Sequence, residues 1–92
     1  MNRSFERAVV EVIGKLRPGE VASYGEIAQE AGFPGAARAV GLVLARAEAP
    51  LPWWRVVRAD GTLASPNARK QARLLRAEGV PIRNGKVLVQ AR

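Results

Sequence analysis

Four side chains in this sequence have the chemistry needed to recognise a nucleic acid: Tyr24, Arg38 and the adjacent pair Trp53 and Trp54. Aromatic rings stack on nucleobases, and arginine binds phosphates or base edges through paired N–H groups. The chain has no Cys and no His, which excludes a thiolate nucleophile, an imidazole base and the metal sites they build. We therefore expect binding chemistry, with no catalytic residue, no metal and no cofactor.

The net charge favours a polyanionic partner. The 92 residues carry 15 Lys and Arg against 8 Asp and Glu, a formal charge of +7. Nine basic and three acidic side chains lie in residues 47–92, so the surplus is in the second half. Nucleic acid is the simplest such partner, although a merely solubilising charge would look the same. No apolar run approaches the ~20 residues of a membrane span, and no signal-peptide pattern opens the chain. We expect no membrane partner and a cytoplasmic location.

The elements that must position these side chains form one domain, mainly α with a small β element. Ser4 is the predicted N-cap of a first helix. Apolar residues at helical spacing form its buried face: Phe5, Val9, Val12, Ile13 and Leu16.

A helix-turn-helix is predicted over about residues 23–46. Ser23 and Glu26 form a capping-box pattern, so a second helix should run over residues 24–31 with Gly32 as its C-cap. After a short turn, a third helix should cover residues 36–46. Its exposed face carries only one large polar side chain, Arg38, which is either solvated or a probe for a DNA groove. The other residues of that face are small: Ala36, Ala37, Ala39 and Gly41.

The remaining chain divides into three segments. Residues 50–67 form a candidate pocket segment in which 53–57 is β-prone, and Trp53 and Trp54 should therefore point to opposite faces. One ring would be core and the other a stacking platform, although both could be core. A basic helix is predicted over about residues 68–78. Its charged face could contact DNA, bind a partner protein or merely be solvated. A hairpin over 80–90 turns at Asn84 and Gly85.

Three motifs together resemble the DNA-binding domain of O6-alkylguanine-DNA alkyltransferases, and more closely the alkyltransferase-like proteins. Residues 19–28 read GEVASYGEIA, residues 36–41 read AARAVG, and residues 52–57 read PWWRVV where alkyltransferases carry PCHRV. The resemblance covers residues 17–79, most of the chain. It implies a winged-helix-like helix-turn-helix domain of the alkyltransferase C-terminal type.

Departures from the alkyltransferase pattern fall at the reactive positions. Trp53 stands at the position of the alkyl-accepting Cys, which is the mark of the alkyltransferase-like group, and Trp54 stands at the position of the activating His. Glu78 matches the Glu that orients this His, and we expect it to have nothing to orient. Ser65 matches a Ser of the pocket-side loop, and residues 66–67 read PN where the family has a Gly pair.

The resemblance also implies residue roles. Tyr24 would press on the phosphate beside a lesion, and Arg38 would enter the base stack through the minor groove. The lesion pocket would include Tyr24, Trp53, Ser65 and backbone groups near Val56. The DNA-binding residues would be Tyr24, Ala36, Ala37, Arg38, Gly41 and Arg55.

The implied function is reversible binding and flipping of O6-alkylguanine in duplex DNA by a monomer, without alkyl transfer. Such proteins mark the lesion for nucleotide excision repair, whose damage-recognition proteins would be partners. The alternatives are a helix-turn-helix transcriptional regulator and a general DNA-binding protein. An active alkyltransferase is disfavoured because no side chain is a plausible soft nucleophile.

Overall fold

The computed structural model describes residues 3–63 and 66–88. Its helices are α1 Arg3–Gly14, α2 Tyr24–Glu30, α3 Ala37–Arg46 and α4 Ala68–Ala77, and a 3₁₀ helix covers Trp53–Arg55. The strands are β1 Ala22–Ser23, β2 Val56–Val57, β3 Ile82–Arg83 and β4 Lys86–Val87. The predicted architecture, mainly α with a small β element, is confirmed.

Helices α1, α2 and α3 enclose the first hydrophobic cluster. The four-residue spacing of Phe5, Val9 and Ile13 places them on one face of α1, where they are buried, and Val12 packs against the cluster while partly exposed. From α2 and α3, Ile27 and Val40 are fully buried in the same cluster. The prediction that Ser4 caps α1 is wrong, because the helix already includes Arg3 and Ser4 is helical.

A parallel pair of two-residue strands joins this helical unit to the rest of the chain. β1 pairs with β2 in the register Ala22 to Val56 and Ser23 to Val57. Their side chains divide between two clusters, since Ala22 and Val56 belong to the first cluster and Val57 to the second. The second cluster consists of Val21, Val57, Leu75, Val80 and Val87.

The segment at 53–57 is mostly not a strand, which corrects the sequence-based expectation. The amide of Trp53 donates to the carbonyl of Leu51 (2.7 Å), and the amide of Arg55 donates to Pro52 (3.1 Å), so the chain turns tightly here. Proline at position 52 lacks the N–H that a central strand would use. The two tryptophans therefore do not alternate across a sheet: their rings meet edge to face, 6.0 Å apart at 90°.

The C-terminal hairpin is confirmed over the described residues. Asn84 and Gly85 both have positive φ values, 53° and 72°, as a type I′ turn requires. β3 and β4 pair antiparallel on either side of that turn. Residues 89–90 of the predicted hairpin lie outside the described residues. Within residues 3–63 and 66–88, no helix is long and apolar enough to cross a membrane.

Candidate nucleic-acid interface

Tyr24 is held at the first position of α2 by the predicted capping box. The amide of Glu26 donates to Ser23 Oγ (3.0 Å), and the amide of Ser23 donates to Glu26 Oε1 (2.9 Å). Burial of the half-buried ring raises the pKa of the Tyr24 phenol, and the Arg58 guanidinium opposes this only in part. The hydroxyl is therefore protonated at neutral pH and can donate a hydrogen bond to an anion.

Helix α3 presents a smooth surface beside Tyr24. Arg38 lies in its first turn and is exposed, whereas Ala36 and Ala37 are partly buried. A Cβ built on Gly41 would lie 3.9 Å from Tyr24 Cε1, so a larger side chain there would crowd the tyrosine ring. The small residues thus leave Arg38 as the long polar side chain beside Tyr24, while Leu42, one turn further along α3, is also exposed.

Trp53 and Tyr24, which the resemblance assigns to one lesion pocket, line a cavity of about 560 Å³. We call it the Trp53 cavity. Its volume suits a ligand of nucleobase size. Sequence reasoning placed Leu44 in the core and did not consider Ala45, whereas Asn67 belongs to the predicted pocket segment 50–67. Among residues 3–63 and 66–88, its lining consists of Tyr24, Gly41, Leu44, Ala45, Trp53, Pro66 and Asn67.

Two predicted pocket residues are not in the described lining of this cavity. Val56 is fully buried, its amide donates to the carbonyl of Trp53, and its carbonyl accepts from Gln71 Nε2 (3.0 Å). Its backbone groups therefore hold the 3₁₀ helix and α4 together. Its carbonyl keeps a second lone pair, so the reading of a base edge near Val56 stays a prediction. Ser65 lies outside the described residues.

Glu78 has several partners, which overturns the expectation that it would have nothing to orient. Trp54 Nε1 donates to Glu78 Oε2 (2.9 Å), and the amide of Gly19 donates to Oε1 (2.9 Å). Arg55 donates through Nε to Oε1 (3.0 Å) and through Nη2 to Oε2 (2.6 Å). The pKa of Glu78 is lowered to about 2, chiefly by the hydrogen bonds from Arg55. Partial burial acts to raise this pKa, and the hydrogen bonds from Gly19 and Trp54 act to lower it.

The Arg55 side chain faces the protein interior rather than DNA, which corrects its assignment as a DNA-binding residue. Only 11% of the side chain is exposed. Besides pairing with Glu78, its Nη1 donates to the carbonyl of Leu16 (2.9 Å), and its guanidinium carbon lies 5.1 Å from the centre of the Trp54 ring. Arg55 thus fixes Trp54 and the segment after α1 to the end of α4.

Gln71 is a buried polar residue that the sequence did not reveal. It is fully buried, and its Nε2 donates to the carbonyls of Trp54 (3.2 Å) and Val56 (3.0 Å). Gln71 lies in α4, and Glu78, seven residues later, is the C-cap of that helix on the same side, so both contact the segment that carries Trp53. The signal in the sequence was a polar residue within the apolar stripe of a basic helix.

A second, smaller hollow adjoins Tyr24 on the α3 side. It has a volume of about 260 Å³, and we call it the Arg38 hollow. Arg58 is one of its lining residues, and the sequence analysis had not identified Arg58 as a functional residue. The described residues that line it are Tyr24, Ala37, Arg38, Gly41 and Arg58.

Comparison with known proteins agrees with this geometry. The family model for the DNA-binding domain of 6-O-methylguanine DNA methyltransferase matches residues 4–80. A DNA base-flipping protein of Escherichia coli is 42% identical over 83 residues, which are 86% of this chain and 64% of that protein. Alkyltransferase-like protein 1 of Schizosaccharomyces pombe is 34% identical over 84 residues, covering 85% of this chain and 78% of the yeast protein.

Solved structures give the same result. S. pombe Atl1, in complex with damaged DNA containing O6-carboxymethylguanine, matches with a TM-score of 0.84 at 29% identity, over 100% of this chain and 92% of that one. Mycobacterium tuberculosis OGT in complex with DNA matches with a TM-score of 0.74 at 35% identity, over 85% of this chain and 51% of that one. The resemblance and the fold type predicted from the motifs are confirmed.

Proposed function

We propose a function from the premise that this chain belongs to the family of the 6-O-methylguanine DNA methyltransferase DNA-binding domain: it binds O6-alkylguanine in duplex DNA, turns the base out of the stack and holds it reversibly. The observation that carries the proposal is the Trp53 cavity, which places Tyr24 and Trp53 on one base-sized space beside the Arg38 face. The chain spans 64% of the E. coli base-flipping protein, and we propose that same activity for it.

Base extrusion uses the surface beside that cavity. Tyr24 would press on the backbone with its protonated hydroxyl, and Arg38 would occupy the vacated place in the stack. Partly buried Ala37 and the missing side chain of Gly41 let α3 approach a narrow groove. Flipping a base costs a few kcal/mol, and least for a weakly paired one. Since O6-alkylation weakens the G·C pair, part of the selectivity comes from that smaller cost.

Binding without alkyl transfer follows from the composition of the site. The 92 residues contain no Cys and no His, and an alkyl acceptor must be an activated nucleophile. Trp53 at the acceptor position offers stacking instead. Trp54, at the position of the activating His, donates through Nε1 to Glu78 (2.9 Å), and an indole nitrogen cannot accept a proton from a nucleophile. The alkylated base would dissociate from the protein with its alkyl group still attached, and the protein would not be modified.

A sensor that leaves the lesion in place needs a second system to remove it. We assign that step to nucleotide excision repair, whose damage-recognition proteins would meet this protein on the DNA. The sensor itself would act as a monomer. Because its proposed ligand is chromosomal DNA, we place it in the cytoplasm, associated with the nucleoid if the source is bacterial.

The central experiment compares two duplexes that differ in one O6-methylguanine. We expect the wild type to bind the lesion duplex at least about tenfold more tightly, as a saving of ~1.4 kcal/mol in pairing energy would give. Arg38→Ala should lose most of that preference, whereas Arg7→Ala removes an exposed arginine of α1 that lines neither cavity and should keep it. Equal wild-type affinity for both duplexes would refute the proposal.

Two further measurements separate the competing functions. Trp54→Phe leaves Trp53 as the single tryptophan, and its fluorescence should be quenched more by the lesion duplex than by the undamaged one. After incubation, the duplex should retain its alkyl group and the protein its mass; a mass gain equal to the alkyl group would instead indicate a transferase. Selection from random duplexes that returned one strong consensus would favour the sequence-reading regulator. Affinity governed by salt alone would favour a general DNA-binding protein.

A further inference from the structure

Arg58 lies beside Tyr24 because of the parallel strand pair. In the register of β1 and β2, Ser23 is opposite Val57. The next residues along the two strands, Tyr24 and Arg58, therefore leave the sheet side by side at its carboxyl end. Their electrostatic interaction, which acts to lower the pKa of Tyr24, agrees with this proximity. Both line the Arg38 hollow.

The charge of Arg58 is available to a ligand. Its side chain is exposed, and within residues 3–63 and 66–88 its guanidinium forms no ion pair. Its backbone amide donates to the carbonyl of Thr62 (3.0 Å), and the amide of Gly61 donates to its carbonyl (2.8 Å), so the backbone is fixed by the turn at 58–62. The nearest carboxylate in sequence, Asp60, accepts from the amide of Thr62 (2.9 Å).

We propose that Arg58 binds a phosphate of the DNA backbone next to the nucleotide that Tyr24 displaces. The Arg38 hollow has a floor of small residues, Ala37 and Gly41, with Arg38 and Arg58 among its lining residues. Guanidinium groups bind phosphate oxygens through two parallel N–H bonds. With the phenol of Tyr24 protonated, one phosphate can accept from Tyr24 and Arg58 together. This inference rests on the proposed function and assigns a contact for the strand that carries the lesion.

A phosphate contact predicts a signature that a base contact does not share. Losing one phosphate contact weakens binding to every duplex by a similar factor and reduces the slope of log K against log salt by about one. We therefore expect Arg58→Gln to lower affinity roughly threefold to tenfold at ~0.1 M salt for both lesion and undamaged duplexes. The ratio between the two affinities should stay as in the wild type.

The matched control is Arg7→Gln, which removes the same charge from an exposed helical site outside both cavities. It should leave the salt slope within about 0.3 of the wild type, since no phosphate contact is lost. Arg58→Lys keeps the charge and should restore the slope. Thermal unfolding monitored by circular dichroism checks that all three variants are folded at the assay temperature.

The results separate this inference from the proposed function. If Arg58→Gln and Arg7→Gln bind and respond to salt alike, Arg58 does not contact phosphate. If Arg58→Gln changes only the preference for the lesion, Arg58 acts on the base or on Tyr24, and the inference is wrong. A wild type without any preference for the lesion overturns the proposed function, while the salt slope still decides whether Arg58 contacts phosphate.

Discussion

Replacing Glu78 with Gln tests the network that fixes Trp54 and Arg55. The substitution keeps the shape of the side chain but removes the charge that pairs with Arg55 at 2.6 Å. The Arg55 side chain is only 11% exposed, so its guanidinium would lose its counter-charge without gaining full hydration. Breaking a buried ion pair by removing one partner costs about 3–5 kcal/mol, and less where water reaches the pair.

The pKa of Glu78 gives a second measure of the same effect. It lies at about 2 instead of 4.5, chiefly because of the hydrogen bonds from Arg55. A pKa difference of one is worth about 1.4 kcal/mol, so the full shift corresponds to roughly 3 kcal/mol at neutral pH. Because 14% of the Glu78 side chain remains exposed, we reduce this to about 2 kcal/mol. For a domain of this size, a loss of that order lowers Tm by about 10 °C.

The pH dependence has a defined sign. A carboxyl group whose pKa is lower in the folded state stabilises the fold above its ordinary pKa and loses that contribution as the pH falls towards the folded value. The difference in unfolding free energy between wild type and Glu78→Gln should therefore be constant from pH 7 to about 5.5. It should shrink below 4.5, with roughly half lost by pH 3.

Urea unfolding at pH 7, 5 and 3 measures these values, with Glu48→Gln as the matched control because Glu48 is exposed. The control should change stability by less than about 0.5 kcal/mol at every pH. If Glu78→Gln lowers the unfolding free energy at pH 7 by less than ~1 kcal/mol, the network contributes less than the expected value of about 2 kcal/mol and the reasoning is refuted. A difference of the same size at pH 7 and pH 3 would refute the charge-based explanation.

Three further predictions concern the scaffold. Ser23→Ala removes the side-chain oxygen that accepts from Glu26 (3.0 Å) and should cost about 1 kcal/mol in denaturant unfolding, whereas Ser4→Ala on the exposed side of α1 should cost less than half of that. Ile27→Ala empties a fully buried position and should cost about 2–5 kcal/mol; Leu42→Ala, 48% exposed, should stay within about 0.5 kcal/mol, and similar losses for the two would contradict the described core. Gly61→Ala introduces a Cβ 3.1 Å from Val87 Cγ2 at a φ of +90° and should lower Tm by several degrees, while Gly14→Ala, with nothing within 4 Å, should raise Tm or leave it unchanged.

Local rules in the sequence predicted the elements that position the interface. The capping box at Ser23 and Glu26 fixed the start of α2, and the adjacent Asn84 and Gly85 fixed the hairpin turn, because each depends on residues within four positions of one another. The smooth face around Arg38 followed from helical periodicity in the same way. The positions of Tyr24 at the start of α2 and of Arg38 in α3 therefore follow from the sequence alone, whereas their roles on DNA stay predictions.

Contacts between distant segments account for what the sequence did not predict. The donors to Glu78 are Arg55, Trp54 and Gly19, which are separated from it in sequence by 23, 24 and 59 positions. No local pattern indicates which donors will reach it. Arg55 was taken for a DNA contact because an exposed and a buried arginine look alike in a sequence. Arg58 was missed because β1 and β2 have two residues each, too few to show the alternation that predicts a strand.

The network around Glu78 also explains how the segment next to the Trp53 cavity accommodates tryptophan at position 54. Besides Arg55 and the amide of Gly19, the Glu78 carboxylate accepts from the indole Nε1 of Trp54 at 2.9 Å. Tryptophan donates but cannot accept a proton at that nitrogen, so the hydrogen bond that positions the segment is made without any capacity for general-base chemistry. Removing Glu78 would leave Arg55 buried without a counter-charge, and the fold therefore requires this carboxylate whether or not a reaction uses it. The same contacts that would orient a reactive residue here hold Trp53 against the cavity as a binding surface.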